Sequence, residues 1–171
     1  MKYPLEQYDD YLCLKISIGV VLTILFSIRH LLAIPLAFLP MAGSDLSYLS
    51  NSLVQTPYLV FTDIPGLLVF IAWMNRNPKA GSLTRTIWQK GRFILTIGLS
   101  IQLAITAQQN GLQVLFSYYF DTDQYVSLVS LFINFLAIYY LWRSARVAET
   151  FSCFPETKPP QDAPASTGVK Q

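Results

Sequence analysis

Four stretches of the chain stay apolar for long enough to cross a lipid bilayer, with short polar segments between them. A helix rises about 1.5 Å per residue, so about 20 apolar residues cover a hydrocarbon core about 30 Å thick. The pattern predicts helices over about 14–39, 53–74, 87–107 and 125–142. Arg29 and His30 interrupt the first apolar run, and Pro35 favours a kink in it. The alternative is a first span that ends at Ile28, with Leu31–Leu39 along the outer interface. From about Pro155 the chain turns to Pro, Ala, Ser and Thr with nothing apolar to pack, and is expected to be disordered. The expected architecture is therefore an all-α membrane protein. A four-transmembrane-helix bundle occupies residues 1–150, and a disordered Pro-rich cytoplasmic tail occupies 151–171.

Charge sets the orientation. The connectors at about 40–52 and 108–124 carry no Lys or Arg, whereas the one between the second and third helices carries Arg76, Lys79, Arg85, Lys90 and Arg92 and no acid. The ends add Lys2, Lys15, Arg143, Arg146, Lys158 and Lys170, so 11 of the 12 basic residues fall on one side, and the twelfth, Arg29, lies inside a helix. Basic residues collect on the cytoplasmic side, which predicts a multi-pass inner-membrane protein with both termini cytoplasmic. Trp73, Trp88 and Trp142 fall at the cytoplasmic boundary, and Tyr48, Tyr58, Tyr118, Tyr119 and Tyr125 near the outer one, as interfacial aromatics do. The first residues include Glu6, Asp9 and Asp10, so the first apolar run reads as a retained helix rather than a signal peptide.

Composition agrees. Apolar residues make up 53% and charged residues 13% of 171, more apolar surface than a soluble fold of one domain buries. A net charge of +2, with the basic residues confined to connectors and ends, excludes a nucleic-acid-binding face. Neither Cys13 nor Cys153 lies in a segment expected outside the cytoplasm, so both are expected as reduced thiols.

The candidate chemistry is a polar layer inside the helices. Counting rises from the outer ends puts Arg29 at about 15 Å, Asp63 at about 12 Å, Gln102 at about 8–10 Å and Asn134 at about 14 Å depth, with His30 beside Arg29. Ionisable groups at such depth are costly, so Arg29 and Asp63 are expected to pair. The layer serves either a small-ligand, ion or proton site, or helix association through neutralised charges and interhelical hydrogen bonds. One histidine without a second His or Cys at its depth cannot hold a transition metal, and no cofactor is expected. Small residues at helical spacing (Gly19, Thr23, Ser27; Thr96, Ser100, Ala104; Ser127, Ser130, Asn134, Ala137) mark close-packing faces, most simply within the bundle. The basic connector (Arg76, Lys79, Arg85, Lys90, Arg92) sets topology and also suits anionic lipid or an acidic partner. Pro78 and Gly81 predict a turn, with Ser82 as N-cap of the next helix. No nucleophile, base and oxyanion donors fall at one depth, so no enzyme is expected.

The N-terminal segment Tyr8-Asp9-Asp10-Tyr11-Leu12-Cys13-Leu14-Lys15 is similar to the Tyr-Asp…Leu-Lys opening of the YfeZ-like family of short, uncharacterised inner-membrane proteins from Gammaproteobacteria. Arg29 stands where that family places an arginine late in its first helix. The chain lacks the family's glycine between the Asp and the Leu-Lys pair, and Ile16-Ser17 replaces the proline that follows. The resemblance implies an inner-membrane location and no activity. The sequence thus predicts a non-enzymatic accessory or assembly subunit of a membrane complex. Its partners are the bilayer and either other membrane proteins or further copies of the chain. The alternative is a minor transporter or channel subunit that uses the polar layer.

Overall fold

The computed structural model describes residues 4–9, 11, 13–37, 58–110 and 122–155. Among the described residues, eight helices follow a 3-10 turn at Leu5–Gln7. They are α1 Ile18–Ser27, α2 Arg29–Ala37, α3 Tyr58–Thr62, α4 Ile64–Met74, α5 Ser82–Gln89, α6 Gly91–Asn110, α7 Thr122–Arg143 and α8 Ala145–Ser152. The described residues contain no strand. An isolated antiparallel bridge joins Tyr8 to Leu14.

Three of the four expected spans are divided, and the fourth, 125–142, lies within the unbroken α7. The first breaks at Ile28, where the shorter alternative span ends, and α2 leaves α1 at 69°. The expected kink at Pro35 is not where the chain turns, because Pro35 lies within α2. The second breaks at Asp63, and Pro65 sits in the first turn of α4, where its missing N–H costs nothing. The third breaks at Lys90, and its leading helix is capped by Gly81, with Ser82 already helical rather than the cap. Beyond the fourth, α8 turns away from α7 at 71°, an element the hydropathy pattern does not announce. Among the described residues no single helix is long and apolar enough to cross a membrane, although the α1–α2 and α7–α8 pairs are so together. The bulk of both expected outer connectors, residues 53–57 of the second span and the tail from 156 lie outside the described residues.

The central helix is α6, packed between α7 and α4, with α1 against α4. The core runs from Val20 and Ile24 through Val69, Leu95 and Leu99 to Leu141, Trp88, Val147 and Phe151. Gly66 lets α4 approach α1 closely, since a methyl group there would strike the Ser27 hydroxyl and Ile28. Polarity is inverted across this bundle. Asp63, Gln102, Asn134, Ser27 and Thr23 are buried, while Ile18, Leu22, Ile64, Leu68, Ile71, Ile97, Phe132 and Phe135 are exposed. Of the three small-residue stripes, Thr23 and Ser27 are buried against neighbours, but Ser100 and Ala104 face outward. The packing face of α6 is instead Gly91, Leu95, Gly98, Leu99 and Gln102.

The cysteines are not free. Cys13 and Cys153 form a disulfide across a sequence separation of 140, with Cα atoms 5.6 Å apart. The expectation of reduced thiols came from compartment alone. It missed that the break after α7 turns α8 onto α5 and α6, which brings Cys153 to the N-terminal segment. The packed chain continues through Phe154, which is buried.

Candidate functional site

The polar layer assembles around the carboxylate of Asp63, which is fully buried. The break at Ile28 gives α2 a fresh N-terminus, and a helix start leaves its first N–H groups without intrahelical partners. Asp63, at the break of the neighbouring span, supplies the acceptor. Its Oδ2 accepts from the backbone N–H of His30 at 2.9 Å and of Leu31 at 3.0 Å. Its Oδ1 accepts from Gln102 Nε2 at 2.8 Å and meets His30 Nδ1 at 2.9 Å. All four acceptor positions are used, and the N-terminal end of α2 adds its favourable dipole. The two interrupted spans therefore fit together, one providing unpaired donors and the other a carboxylate at their level.

Gln102 is the bridge. Besides its bond to Asp63, its Nε2 donates to the Ser27 carbonyl at 2.9 Å, and its Oε1 accepts from Arg29 Nη1 at 2.8 Å. Arg29 Nη1 also reaches the Phe26 carbonyl at 3.1 Å, Nη2 reaches Ser130 Oγ at 3.2 Å, and the guanidinium lies 4.2 Å over the Phe26 ring. The expected pairing of Arg29 with Asp63 is thus replaced by a relay: Asp63 pairs with His30, and Gln102 links that pair to Arg29. Depth along each helix put these residues in one layer, but azimuth decided which met. Asn134 stands apart, its Nδ2 donating to the Ser130 carbonyl at 2.9 Å. Among the described residues its Oδ1 has no partner, nor does the buried Ser27 Oγ.

Below this layer, α1 and α7 are separated by an apolar groove of about 380 Å³, lined by Leu22, Phe26, Ile133 and Leu136 with Gly19 and Ala137 among its small residues. The Arg29–Ser130 bond joins the two helices at one end of it. At the other, Tyr140 Oη and Ser17 Oγ lie 3.0 Å apart.

The basic connector is drawn onto the bundle. Arg76 lies 5.2 Å over Trp88, Arg85 5.4 Å over Phe154 and Arg92 4.2 Å over Trp142. Arg76 Nη2 also reaches the Cys153 carbonyl at 3.4 Å, and Arg92 Nη2 the Trp142 carbonyl at 3.2 Å. Burial pushes the Arg76 guanidinium below its usual range, and the charge of Asp9 opposes that. Lys79 and Lys90 stay exposed. Trp88 is buried, with its indole N–H shared between the Thr150 and Cys153 carbonyls at 3.1 and 3.2 Å and its ring 4.8 Å from Phe151. The signal for this aromatic seat was the Trp88, Phe151 and Phe154 content of an otherwise polar region. Hydropathy reads it only as interfacial.

No group of three or more metal-ligating side chains occurs among the described residues. No curated protein and no solved structure matches the chain. A family model matches residues 3–153, so the chain belongs to the family described as "Protein of unknown function (DUF2919)".

Proposed function

We propose that this is an integral inner-membrane protein with both termini in the cytoplasm, which acts without catalysis as an accessory or assembly subunit of a membrane complex. The observation that carries the membrane reading is the inverted polarity. Asp63, Gln102 and Asn134 are buried at the centre of a bundle whose outer face is Ile, Leu and Phe. In water that arrangement would leave these large apolar side chains against solvent, whereas in lipid it is the stable one. The resemblance to YfeZ-like gammaproteobacterial proteins agrees with the location, and the basic residues of 76–92 agree with the orientation.

The polar layer supports association over transport. Every acceptor position of Asp63 is occupied from within the chain, so it has none to offer a passing ion. The groove between α1 and α7 is apolar and suits a neighbouring helix or an acyl chain. The transport reading draws on the unpartnered Asn134 Oδ1, a polar atom buried next to the network.

Two measurements test this. A reporter active only in the periplasm should be active when fused after Ser47 or Asp121 and silent after Lys79 or at the C-terminus. Activity after Lys79 sinks the orientation. Purification in mild detergent should return a fixed stoichiometric partner. A homo-oligomer that conducts ions in liposomes would favour the channel reading instead.

A further inference from the structure

We propose that the Cys13–Cys153 bond is a reversible thiol–disulfide latch, opened by dithiol reductants, that fastens the N-terminal hairpin to the end of α8. The inference rests on reading the basic end of the bundle as cytoplasmic. Disulfides that form in that compartment are redox-sensing or catalytic, because its dithiol reductants remove the rest.

The two sulfurs are unequal. Cys13 is 2% exposed, while Cys153 is partly exposed at the end of α8. A thiolate of a dithiol reductant therefore attacks the Cys153 sulfur. A mixed disulfide forms there, and Cys13 leaves as a thiolate that takes up a proton. The reductant's second thiol attacks the mixed disulfide and releases Cys153. Two electrons and two protons pass to the chain, and the reductant is left as a disulfide. In the reverse direction Cys153 is the reactive thiol, with Arg76 held at its carbonyl as a cation that favours the thiolate.

What the bond fastens is a self-contained unit. Asp9 N–H donates to the Cys13 carbonyl at 2.8 Å, and Asp9 Oδ1 accepts from Tyr11 and Cys13 N–H at 3.0 and 2.9 Å. Lys15 N–H donates to the Gln7 carbonyl at 2.8 Å and its Nζ to the Glu6 carbonyl at 3.0 Å. These bonds run within the segment and keep its shape whether the latch is open or closed. Among the described residues, Ser17 to Tyr140, at its foot, and the attraction of Arg76 for Asp9 also tie it to the bundle, and Leu14 is buried. On the other side the Cys153 carbonyl remains held by Trp88 and Arg76. Reduction therefore loosens the hairpin while α8 stays seated.

Whole cells and the purified full chain test this together. In unstressed cells a membrane-permeant maleimide should label both cysteines and an impermeant one neither. A pulse of diamide should cut permeant labelling by about tenfold, with recovery after the oxidant is washed out. Thiols that stay fully reactive through the pulse overturn the latch and leave the cytoplasmic reading intact. A bond that persists in unstressed cells, and opens to an impermeant phosphine added outside, overturns the cytoplasmic reading and the latch with it. In detergent, reduction should speed amide exchange of residues 4–17 by about tenfold, under conditions where α6 still exchanges far more slowly. The Cys13→Ser/Cys153→Ser variant should match the reduced form in either treatment. Equal exchange in the oxidised and reduced chains overturns the proposal.

Discussion

Two breaks in the chain turn it through almost the same angle, 69° at Ile28 and 71° at Ser144, yet they are secured by different physics. At Ser144 the new helix is capped locally: Ser144 Oγ accepts from the Val147 N–H at 3.4 Å, and α8 then seats Val147 and Phe151 in the core. At Ile28 no neighbouring side chain caps α2. The acceptor comes from another helix, as a buried carboxylate 33 residues away in sequence. A bend near water can rely on a hydroxyl and on solvent. One deep in the bundle must bring its own acceptor, and a full charge suits a helix N-terminus best.

The comparison is broken most directly at Asp63. Asp63→Ala strands the His30 and Leu31 N–H groups and one Gln102 donor, and should cost about 3–5 kcal/mol of stability in detergent denaturation. A cost under about 1 kcal/mol would show that α2 is held by packing alone. Within the same region, a double-mutant cycle should give a larger coupling for His30 with Asp63 than for Arg29 with Asp63, since Gln102 stands between the latter. Next in size is the covalent tie of the second region. Closing a loop of this length is worth up to about 5 kcal/mol by chain entropy, and residual order in the unfolded chain lowers that, so reduction should cost about 2–4 kcal/mol. Then comes Gly66→Ala. Its methyl would lie 2.9 Å from Ile28 Cγ2 and closer still to the Ser27 hydroxyl, which should cost about 1–3 kcal/mol by overpacking. Smallest is Ser144→Ala, about 0.5–1 kcal/mol for a long capping bond. If Ser144→Ala proved as costly as Asp63→Ala, the distinction between the two bends would fall.

Much of this was legible in the sequence, and the rest was hidden for definite reasons. Arg29, His30, Asp63 and Gln102 interrupt apolar runs, so hydropathy finds them and rise per residue places them in one layer. Which of them touch depends on helix rotation, which depth does not carry, and Asp63 therefore found His30 rather than Arg29. Rotation also explains the stripe Thr96, Ser100 and Ala104: its spacing suited close packing, but α6 turns Leu95, Leu99 and Gln102 inward instead. The break at Ile28 was readable as an alternative, because two polar residues follow it. The disulfide was not readable, since nothing local relates positions 13 and 153. The helix α8 was missed because half of its residues are polar, and its apolar side is visible only once Trp88 is in place to receive it.

The relay through Gln102 also imposes an order on assembly. Arg29 emerges from the ribosome 73 residues ahead of Gln102 and 101 ahead of Ser130. At about 5–20 residues per second, Ser130 follows roughly 5–20 s after the guanidinium that it receives. For that interval the first span carries a cation with no side-chain partner, and under the membrane reading proposed above the only stable place for it is near water or lipid headgroups. The first helix of the chain is therefore among the last to reach its final depth. Chains arrested before Gln102 and carrying Ile28→Cys should react with an aqueous thiol reagent, and chains extended past Ser130 should be protected. Equal protection at both lengths would mean that α1 settles without waiting for its partners.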